Sequence, residues 1–311
     1  MHSKGLSFAA VVLLLLCAAA LAFAEGGAPD YNAEGFLDEG EYVYTDPDLG
    51  IWHYCSPTLR VDITRCTQTQ PNLVWYEAEI RTRGDERWRL ATAEEGKHIS
   101  ASTWPWLIAR HNGCVFAINN DFAQFRYPKK NKSVGIMIRD GKIFSAKTSA
   151  AGKKGVPNLD TLALMPDGSF AVFRSNELKA QDYLDMGCMD VLCFGPYLIR
   201  DGVLNEDGIK KAGTSNSPRT AVGMVENGHY FAMVLEGRHK GSVGAPVSFL
   251  AYRMMERGCT VAINLDGGET SVMLFMGEQI NKVGGTNNKG GSARRSSEIL
   301  AVGTSELVPA K

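Results

Sequence analysis

The chain has 311 residues, of which 44% are hydrophobic, and its formal net charge is -1. Nucleic-acid backbones are bound by strongly basic surfaces, so this near-neutral balance argues against a nucleic acid as the partner. The length and the apolar fraction are sufficient for one large domain or two small ones with a hydrophobic core.

The first 24 residues have the pattern of a cleaved secretory signal peptide. Lys4 precedes an apolar run at residues 8–16, and residues 22–24, Ala-Phe-Ala, offer a small-x-small cleavage site. The run is shorter than the roughly 20 residues that a bilayer-spanning helix needs, and no later stretch approaches that length. We therefore expect a secreted or extracytoplasmic protein with no stable membrane span.

Two different segments follow the signal peptide. Residues 25–50 carry eight acidic side chains and no Lys or Arg, which predicts an extended acidic leader instead of a folded unit. Residues 51–94 alternate between apolar and polar positions and are predicted to form a β-rich N-terminal extension. The main domain is expected at 95–304, with a tail at 305–311.

Two short segments of the main domain, at residues 113–121 and 258–266, are nearly alike. Each is an apolar, β-branched run that predicts a buried strand, and each ends in Asn-x-Asp, where the chain must turn. If the two strands lie side by side, Asp121 and Asp266 face one cleft, the arrangement that glycosyl-transfer chemistry needs. On the alternative interpretation, Asn-x-Asp only supplies turn chemistry at two strand ends.

The remaining signals indicate sheets connected by tight turns. A helix interrupted at Pro105 is predicted over residues 99–111, and an amphipathic helix over 246–257; each leads into one of the similar segments. Four turn signals predict β-hairpins, at residues 139–142, 166–169, 200–202 and 226–228. The pattern as a whole predicts an α+β fold, with a mixed, largely antiparallel sheet core, a few packed helices and an internal pseudo-duplication.

Six cysteines remain after signal cleavage, and an even number in an exported chain suggests disulfide bonds. The preferred bridge joins Cys55 and Cys66 across a short loop. Cys114 and Cys259 occupy equivalent places in the two similar segments, so they are either neighbours in a sheet or small buried thiols. Neither the cysteine spacing nor the scattered histidines indicate a metal site.

Five segments in a fixed order carry a family resemblance: residues 119–122, 194–202, 217–223, 236–238 and 264–271. Together they resemble the phosphodiester glycosidase family over roughly residues 95–304. The resemblance implies a mixed α+β fold and hydrolysis of a sugar-1-phosphodiester to free sugar and phosphomonoester, with an N-acetylglucosamine-1-phosphate diester as the type of substrate. The acidic turn of that family usually reads Asp-Gly-Gly-Gly-Ser, whereas Glu269 and Thr270 occupy its last two places here.

The catalytic residues are predicted to be Asp266 and Asp121, with Glu269 as a third acid. A carboxylate stabilises an oxocarbenium-like transition state, and a second one activates water or forms a covalent intermediate. Arg219 is the best candidate to bind the phosphate through its planar guanidinium, with Arg238 and Arg294 as helpers. The alternative for each arginine is a solvated surface ion pair.

The remaining predicted substrate-binding residues surround these groups. Gly267 and Gly268 let the backbone approach a ligand closely, and their amides could form an anion-binding nest or only a tight turn. Further predicted contacts to the substrate are Asn119, Asn120, Thr220 and Asn264. For Asn119 and Asn264 the alternative is that their side chains fix the turns.

Two other functions fit the same residues. One is a non-catalytic module that binds a glycan of the cell envelope. The other is a calcium-organised structural protein with Asp121, Asp266 and Glu269 as oxygen ligands. The hydrolase itself requires no cofactor, and assistance by a divalent ion such as calcium is left open.

Overall fold

The computed structural model describes residues 29–98, 101–121, 135–148, 159–285 and 291–310. The predicted signal peptide lies outside these residues. Within them, no helix is both long and apolar enough to cross a lipid bilayer.

The described residues form one large sheet and two smaller ones, with antiparallel pairing in each. The first sheet has nine strands, in the spatial order β1 (Tyr42–Asp46), β2 (Ile51–Cys55), β3 (Leu59–Thr69), β4 (Asn72–Thr82), β15 (His229–Leu235), β14 (Arg219–Glu226), β16 (Val261–Leu265), β12 (Tyr197–Arg200) and β13 (Val203–Leu204). The predicted extension at 51–94 therefore shares a sheet with strands of the predicted main domain.

The two smaller sheets have five strands each. The second sheet runs β10 (Phe170–Phe173), β9 (Asp160–Leu164), β11 (Asp190–Phe194), β7 (Ile136–Arg139) and β8 (Lys142–Ala146). The third sheet runs β18 (Glu278–Gln279), β17 (Met273–Phe275), β6 (Cys114–Asn119), β19 (Glu298–Thr304) and β5 (Arg89–Thr92). All four predicted hairpin turns are confirmed, since they join β7–β8, β9–β10, β12–β13 and β14–β15.

One hydrophobic core joins the three sheets. The side chains that it buries include Val61, Ile80 and Ile263 of the first sheet, Leu162 and Val172 of the second, and Phe116 and Leu300 of the third. Alternate residues of the first sheet point to its other face, as expected for the two-residue period of a strand. Burying one such side chain contributes about 1.5–3 kcal/mol, so this shared core holds the sheets at fixed positions.

Four α-helices cover the outer faces of the sheets in the described residues: α1 (Pro105–His111), α2 (Ala180–Asp185), α3 (Glu206–Lys211) and α4 (Val247–Glu256). Pro105 begins α1 and does not interrupt it, because proline suits the first helical turn, where its missing N–H has no partner to lose. The helix predicted at 246–257 is confirmed as α4, which packs on the first sheet through Leu250 and Met254. The sequence pattern missed α2 and α3, which have six residues each.

The two similar segments form strands, but these strands are not neighbours. Strand β6 lies in the third sheet and β16 in the first, so the prediction that they lie side by side is wrong. Each strand does follow a helix, α1 before β6 and α4 before β16. An internal duplication of the core stays a prediction.

The acidic segment at 25–50 is more ordered than predicted. Its strand β1 pairs with β2, and Phe36 and Leu37 pack against Cys55 in a small cluster of their own. Apolar side chains interspersed among the acids supply this burial, so an unfolded leader is the wrong description of residues 36–46.

The predicted bridge between Cys55 and Cys66 is wrong, because no disulfide joins them. Cys55 lies opposite Arg60 in the β2–β3 pairing, and Cys66 is six residues further along β3. At about 3.3 Å per residue this separates the two cysteines by roughly 20 Å, far beyond the reach of a disulfide. Cys114 and Cys259 are buried thiols near different sheets, so of the two alternatives for them the buried thiol is the correct one.

Candidate active site

The two acids at the ends of the similar segments lie close together, although their strands belong to different sheets. Asp121 follows β6, Asp266 follows β16, and the negative charge of Asp121 acts on Asp266. Asn119 joins the two strand ends, since its Nδ2 donates a 2.8 Å hydrogen bond to the carbonyl oxygen of Asp266. Its Oδ1 accepts from the Thr220 hydroxyl at 2.7 Å, which fixes the orientation of the amide.

Asp266 is a buried carboxyl group with one oxygen available for chemistry. Its side chain is only 6% exposed, and Oδ1 accepts a hydrogen bond from the N–H of Gly267. Its Oδ2 has no hydrogen-bond partner among the described residues. Burial raises the pKa of Asp266 to about 7. The charge of Arg294, the nearby Thr270 hydroxyl and the Gly267 N–H oppose this rise, and the charge of Asp121 adds to it. Near neutral pH this carboxyl group can both accept and donate a proton.

Asp121 has a different environment, since it is fully buried against a cation. Its Oδ2 accepts from Arg139 Nη2 at 3.0 Å and from the backbone N–H of Cys193 at 3.3 Å. Arg139 is also fully buried, and it donates to Glu298 Oε1 from both Nε and Nη2 at 2.8 and 2.7 Å. Burial disfavours the charged guanidinium, but the charges of Glu298 and Asp121 outweigh this effect and raise its pKa. Asp121 therefore faces a permanent positive charge.

Three residues that the sequence did not indicate hold Asp121 in place: Arg139, Glu298 and His98. Arg139 ends β7, and its position beside Asp140-Gly141 indicates only a hairpin turn. Glu298 gives a stronger signal, because it is the single acid at the start of the apolar strand β19. A carboxylate inside such a strand is costly to bury unless a cation accompanies it.

Two arginines near the Asp266 loop, Arg219 and Arg238, have no acidic partner among the residues that the structure describes. Arg219 donates from Nε to the carbonyl of Ala245 at 3.3 Å and from Nη2 to that of Ser215 at 2.9 Å, whereas Arg238 donates to the Ser217 hydroxyl. Neither forms an ion pair with a carboxylate within the described part of the chain. Burial lowers the pKa of Arg219, and the repulsion of nearby Arg238 lowers it further. Two adjacent guanidinium groups without a counter-charge favour the binding of an anion.

The loop after Asp266 is packed against these arginines. A Cβ on Gly268 would lie 3.2 Å from Arg238 Nη1, and one on Gly267 would lie 2.8 Å from the carbonyl oxygen of Pro218. The amide of Gly268 donates to that carbonyl at 3.0 Å, and the amide of Gly267 donates to Asp266. Of the two alternatives for these glycines the tight turn is the one observed, because both amides donate within the protein. The glycines allow close packing instead.

Glu269 and Arg294 form the outer side of the loop. Arg294 Nε lies 3.5 Å from Glu269 Oε2, and both side chains are about one third exposed. Arg294 also binds the loop backbone, since its N–H donates to the carbonyl of Glu269 at 3.0 Å. The third carboxylate predicted at this turn thus faces a cation and water more than it faces Asp266.

The predicted amide side chains mostly hold the backbone together. Asn120 Nδ2 donates to Glu298 at 2.8 Å, and Asn264 Nδ2 donates to the carbonyl of Gly195 at 2.8 Å. Thr220 is buried and its hydroxyl donates to Asn119, so this group already has a partner within the protein. Asn264 differs in that its Oδ1 has no partner among the described residues, and the same is true of the buried Ser271 hydroxyl. Three buried oxygen atoms within residues 264–271 therefore have acceptor capacity that no described residue uses.

These acids do not fit a calcium site. Among the described residues no group of three or more His, Cys, Asp or Glu side chains could hold a metal ion. Asp121 faces Arg139, Glu269 faces Arg294, and a divalent cation would be repelled by both guanidinium groups. The calcium-organised structural protein is therefore not supported.

Comparison with known proteins identifies one family. A family model described as phosphodiester glycosidase matches residues 112–303. The SPbeta prophage-derived uncharacterized protein YomE of Bacillus subtilis (strain 168) is 25% identical over 178 residues, which are 57% of this chain and 26% of that protein. The chain thus spans about a quarter of the length of this curated relative.

Two solved structures have a similar fold. The first is the zebrafish N-acetylglucosamine-1-phosphodiester alpha-N-acetylglucosaminidase catalytic domain, auto-inhibited by its pro-peptide. It has a TM-score of 0.61 and 18% identity, covering 79% of this chain and 84% of that one. The second is a hypothetical protein from Synechocystis, with a TM-score of 0.51 and 13% identity, covering 79% of this chain and 62% of that one. At these identities the likeness shows the fold.

Proposed function

The chain belongs to the phosphodiester glycosidase family, and on this premise we propose that it hydrolyses a sugar-1-phosphodiester to the free sugar and a phosphomonoester. The sugar is N-acetylglucosamine or a close analogue, attached to a carbohydrate or cell-envelope phosphodiester. The signal-peptide pattern of the first 24 residues supports export, so the reaction takes place outside the cytoplasm.

The observation that carries the proposal is the buried Asp266 carboxyl group with its unpartnered Oδ2. As the ionised base, Asp266 takes a proton from a water molecule while the water oxygen forms a bond to the anomeric carbon. The bond between that carbon and the phosphate oxygen breaks, and its electron pair leaves with the phosphomonoester. A phosphate is already a good leaving group, so a strong general acid is not required.

The charge on the leaving group is stabilised by Arg219 and Arg238. Both guanidinium groups lack a carboxylate partner among the described residues, and the glycine loop carrying Asp266 packs against them. Preorganised cations of this kind bind the charge that develops in the transition state without further reorganisation. Arg294, on the other side of the loop, contributes positive charge at the rim.

Asp121 acts on Asp266 and does not touch the substrate. It is fully buried against Arg139, and its charge raises the proton affinity of Asp266. Asn264 Oδ1 and the Ser271 hydroxyl remain to accept hydrogen bonds from the sugar. Glu269 is a rim residue that orients Arg294.

The test is the hydrolysis of the methyl phosphodiester of α-N-acetylglucosamine 1-phosphate, followed by measurement of free sugar and methyl phosphate. The wild-type chain releases both in equal amounts, and Asp266→Asn loses at least about 100-fold in rate. Asp201→Asn, on the exposed β12–β13 turn, is the matched control and retains the wild-type rate. Binding of the diester without turnover by the wild-type chain would contradict the proposal and indicate a glycan-binding module.

A further inference from the structure

We propose that Glu298, Arg139 and His98 are positioning residues that fix Asp121 beside Asp266 and balance its buried charge. The inference rests on the proposed function only in taking Asp266 as the reacting carboxyl group. None of the three contacts the place where the substrate would bind, and each acts through the next one in a continuous chain from the protein surface to Asp121.

Glu298 is the centre of this chain of contacts. It begins β19 in the third sheet and is fully buried. Its Oε1 accepts hydrogen bonds from Arg139 and from Asn120 Nδ2, and its Oε2 lies 2.9 Å from His98 Nδ1. Asn120 directly precedes Asp121, so Glu298 fixes both the backbone beside the acid and the cation opposite it.

Arg139 has no freedom to rotate, because all its donors are used. Nε and one N–H of Nη2 bind Glu298, the other N–H of Nη2 binds Asp121, and Nη1 donates to the carbonyls of Ile138 and Val191. A guanidinium has five N–H groups, and each of them has an acceptor here. Arg139 thereby connects the second sheet, which contains β7 and β11, to the acid at the end of β6.

His98 connects this buried group to the surface. Its Nδ1 faces Glu298, and its Nε2 lies 2.8 Å from Asp140 Oδ2 on the exposed β7–β8 turn. The ring edge also contacts the ring of Phe144 on β8. Two carboxylate oxygens can both be satisfied only if both ring nitrogens carry a proton, so the geometry indicates an imidazolium. Burial lowers the pKa of His98, but the hydrogen bonds to Glu298 and Asp140 raise it above its ordinary value.

Opposite charges alternate along this chain of contacts. Asp121 and Glu298 bring two negative charges, and Arg139 and protonated His98 bring two positive charges. Asp190, at the start of β11, also faces Arg139, and burial raises its pKa. Of these charges the one on Asp121 acts on Asp266, and Arg294 acts on it with the opposite sign. Removing one member must therefore shift the proton affinity of Asp266 in a direction set by the sign of the lost charge.

The decisive experiment is a titration of Asp266 by carboxyl ¹³C NMR in the wild type, Glu298→Gln and His98→Gln, with assignment from Asp266→Asn. Loss of the Glu298 charge lowers the pKa of Asp266 by about one unit, and loss of the His98 charge raises it by a similar amount. His229→Gln removes a histidine–carboxylate pair with Glu79 on the first sheet, so it is the matched control and causes no shift.

Kinetics on the sugar phosphodiester give a second readout. Because the three residues do not touch the substrate, Glu298→Gln and His98→Gln lower kcat about 10- to 100-fold and leave KM within about twofold. The titration needs no substrate, so it still tests the positioning role if the wild type proves inactive on this diester.

Variants at buried positions could fail to fold, and Asp140→Asn then keeps the inference testable. Asp140 is exposed, so its replacement leaves the core intact. It removes one acceptor from His98 and lowers the pKa of that histidine by about one unit in a histidine NMR titration. An unchanged pKa of Asp266 in Glu298→Gln and His98→Gln, or shifts of that pKa in the same direction in both, would overturn the inference and indicate a purely structural network. An unchanged pKa of His98 in Asp140→Asn would also overturn it, because the chain of contacts would then not reach the surface.

Discussion

Asp266 combines two properties that rarely occur together in a residue kept only for stability. It is buried, and one of its oxygen atoms has no partner in the described part of the chain. An ionised carboxyl group in that position costs folding free energy, which the surrounding fold must offset. Such a cost is typical of groups that are retained for their chemistry.

Replacement of Asp266 should therefore stabilise the protein at alkaline pH. The pKa of the folded state, about 7, lies above the value of about 3.9 for an unfolded chain. Between these values the unfolded state loses a proton that the folded state keeps, so stability falls as the pH rises through this window. Asp266→Asn removes the penalty and is more stable than the wild type by about 1–4 kcal/mol at pH 8.

Urea unfolding at pH 4 and pH 8 checks this prediction. Near pH 4 the difference should shrink to about 0.5 kcal/mol or less, because the carboxyl group is then neutral in the folded state and only about half ionised in the unfolded state. Asp201→Asn should show no pH-dependent difference from the wild type. Equal stability of Asp266→Asn and the wild type at pH 8 would contradict the prediction, because ionisation of Asp266 would then not lower the free energy of unfolding.

At the level of single residues, the sequence located the acids better than their partners. Asn-x-Asp at two strand ends directed attention to Asp121 and Asp266 because the signal is local. The contact between Asp121 and Arg139 spans 18 positions, and that between Arg139 and Glu298 spans 159. No local pattern encodes pairs that only the packing of two sheets brings together.

At the level of elements, turn chemistry was the most reliable guide. Asp-Gly and Asn-Gly turns marked all four hairpins, because their backbone conformations are set by the turn residues themselves. Strand neighbours could not be derived in the same way. Strands β6 and β16 have nearly the same sequence, yet β6 pairs with β17 and β19 whereas β16 pairs with β12 and β14.

The close packing of the Asp266 loop on the start of β14 gives a prediction at this level. Gly267→Ala places a Cβ 2.8 Å from the Pro218 carbonyl oxygen and so displaces the loop from the segment that carries Arg219. We expect kcat/KM to fall at least about 10-fold, with a loss of about 1–3 kcal/mol in stability from overpacking.

Gly202→Ala is the control for that change. Gly202 has a φ of +74° on the β12–β13 turn, and a Cβ there would meet nothing within 4 Å. It should lose about 1 kcal/mol of stability from backbone strain and keep its full activity. If Gly267→Ala kept its full kcat/KM, as Gly202→Ala should, the loop would accommodate the extra methyl group. Its close packing would then not position the site.

At the level of the whole molecule, the site lies where three sheets meet. Asp266 comes from the first sheet, Arg139 from the second, and Asp121 and Glu298 from the third. The shared hydrophobic core fixes the relative positions of these sheets without any covalent cross-link. The even cysteine count favoured disulfides, but the β2–β3 register separates Cys55 from Cys66, and Cys114 and Cys259 lie near different sheets.

Thiol chemistry tests this description of the fold. In denaturant and without reductant, the protein should expose six reactive thiols at the positions that the structure describes. A reducing agent should leave Tm unchanged, since a native disulfide contributes about 2–4 kcal/mol and its loss would lower Tm by at least about 4 °C. Fewer than six thiols, together with a drop in Tm on reduction, would contradict the arrangement of the sheets.

The most direct test of the central claim is the pH dependence of kcat/KM for hydrolysis of the N-acetylglucosamine phosphodiester. With Asp266 as the base, kcat/KM should rise with a single ionisation near pH 7, the pKa that burial gives this group. Asp266→Asn should have a very low rate without that ionisation. A wild-type profile that is flat between pH 5 and pH 8, or a limb near pH 7 that persists in Asp266→Asn, would contradict the assignment of Asp266 as the proton acceptor.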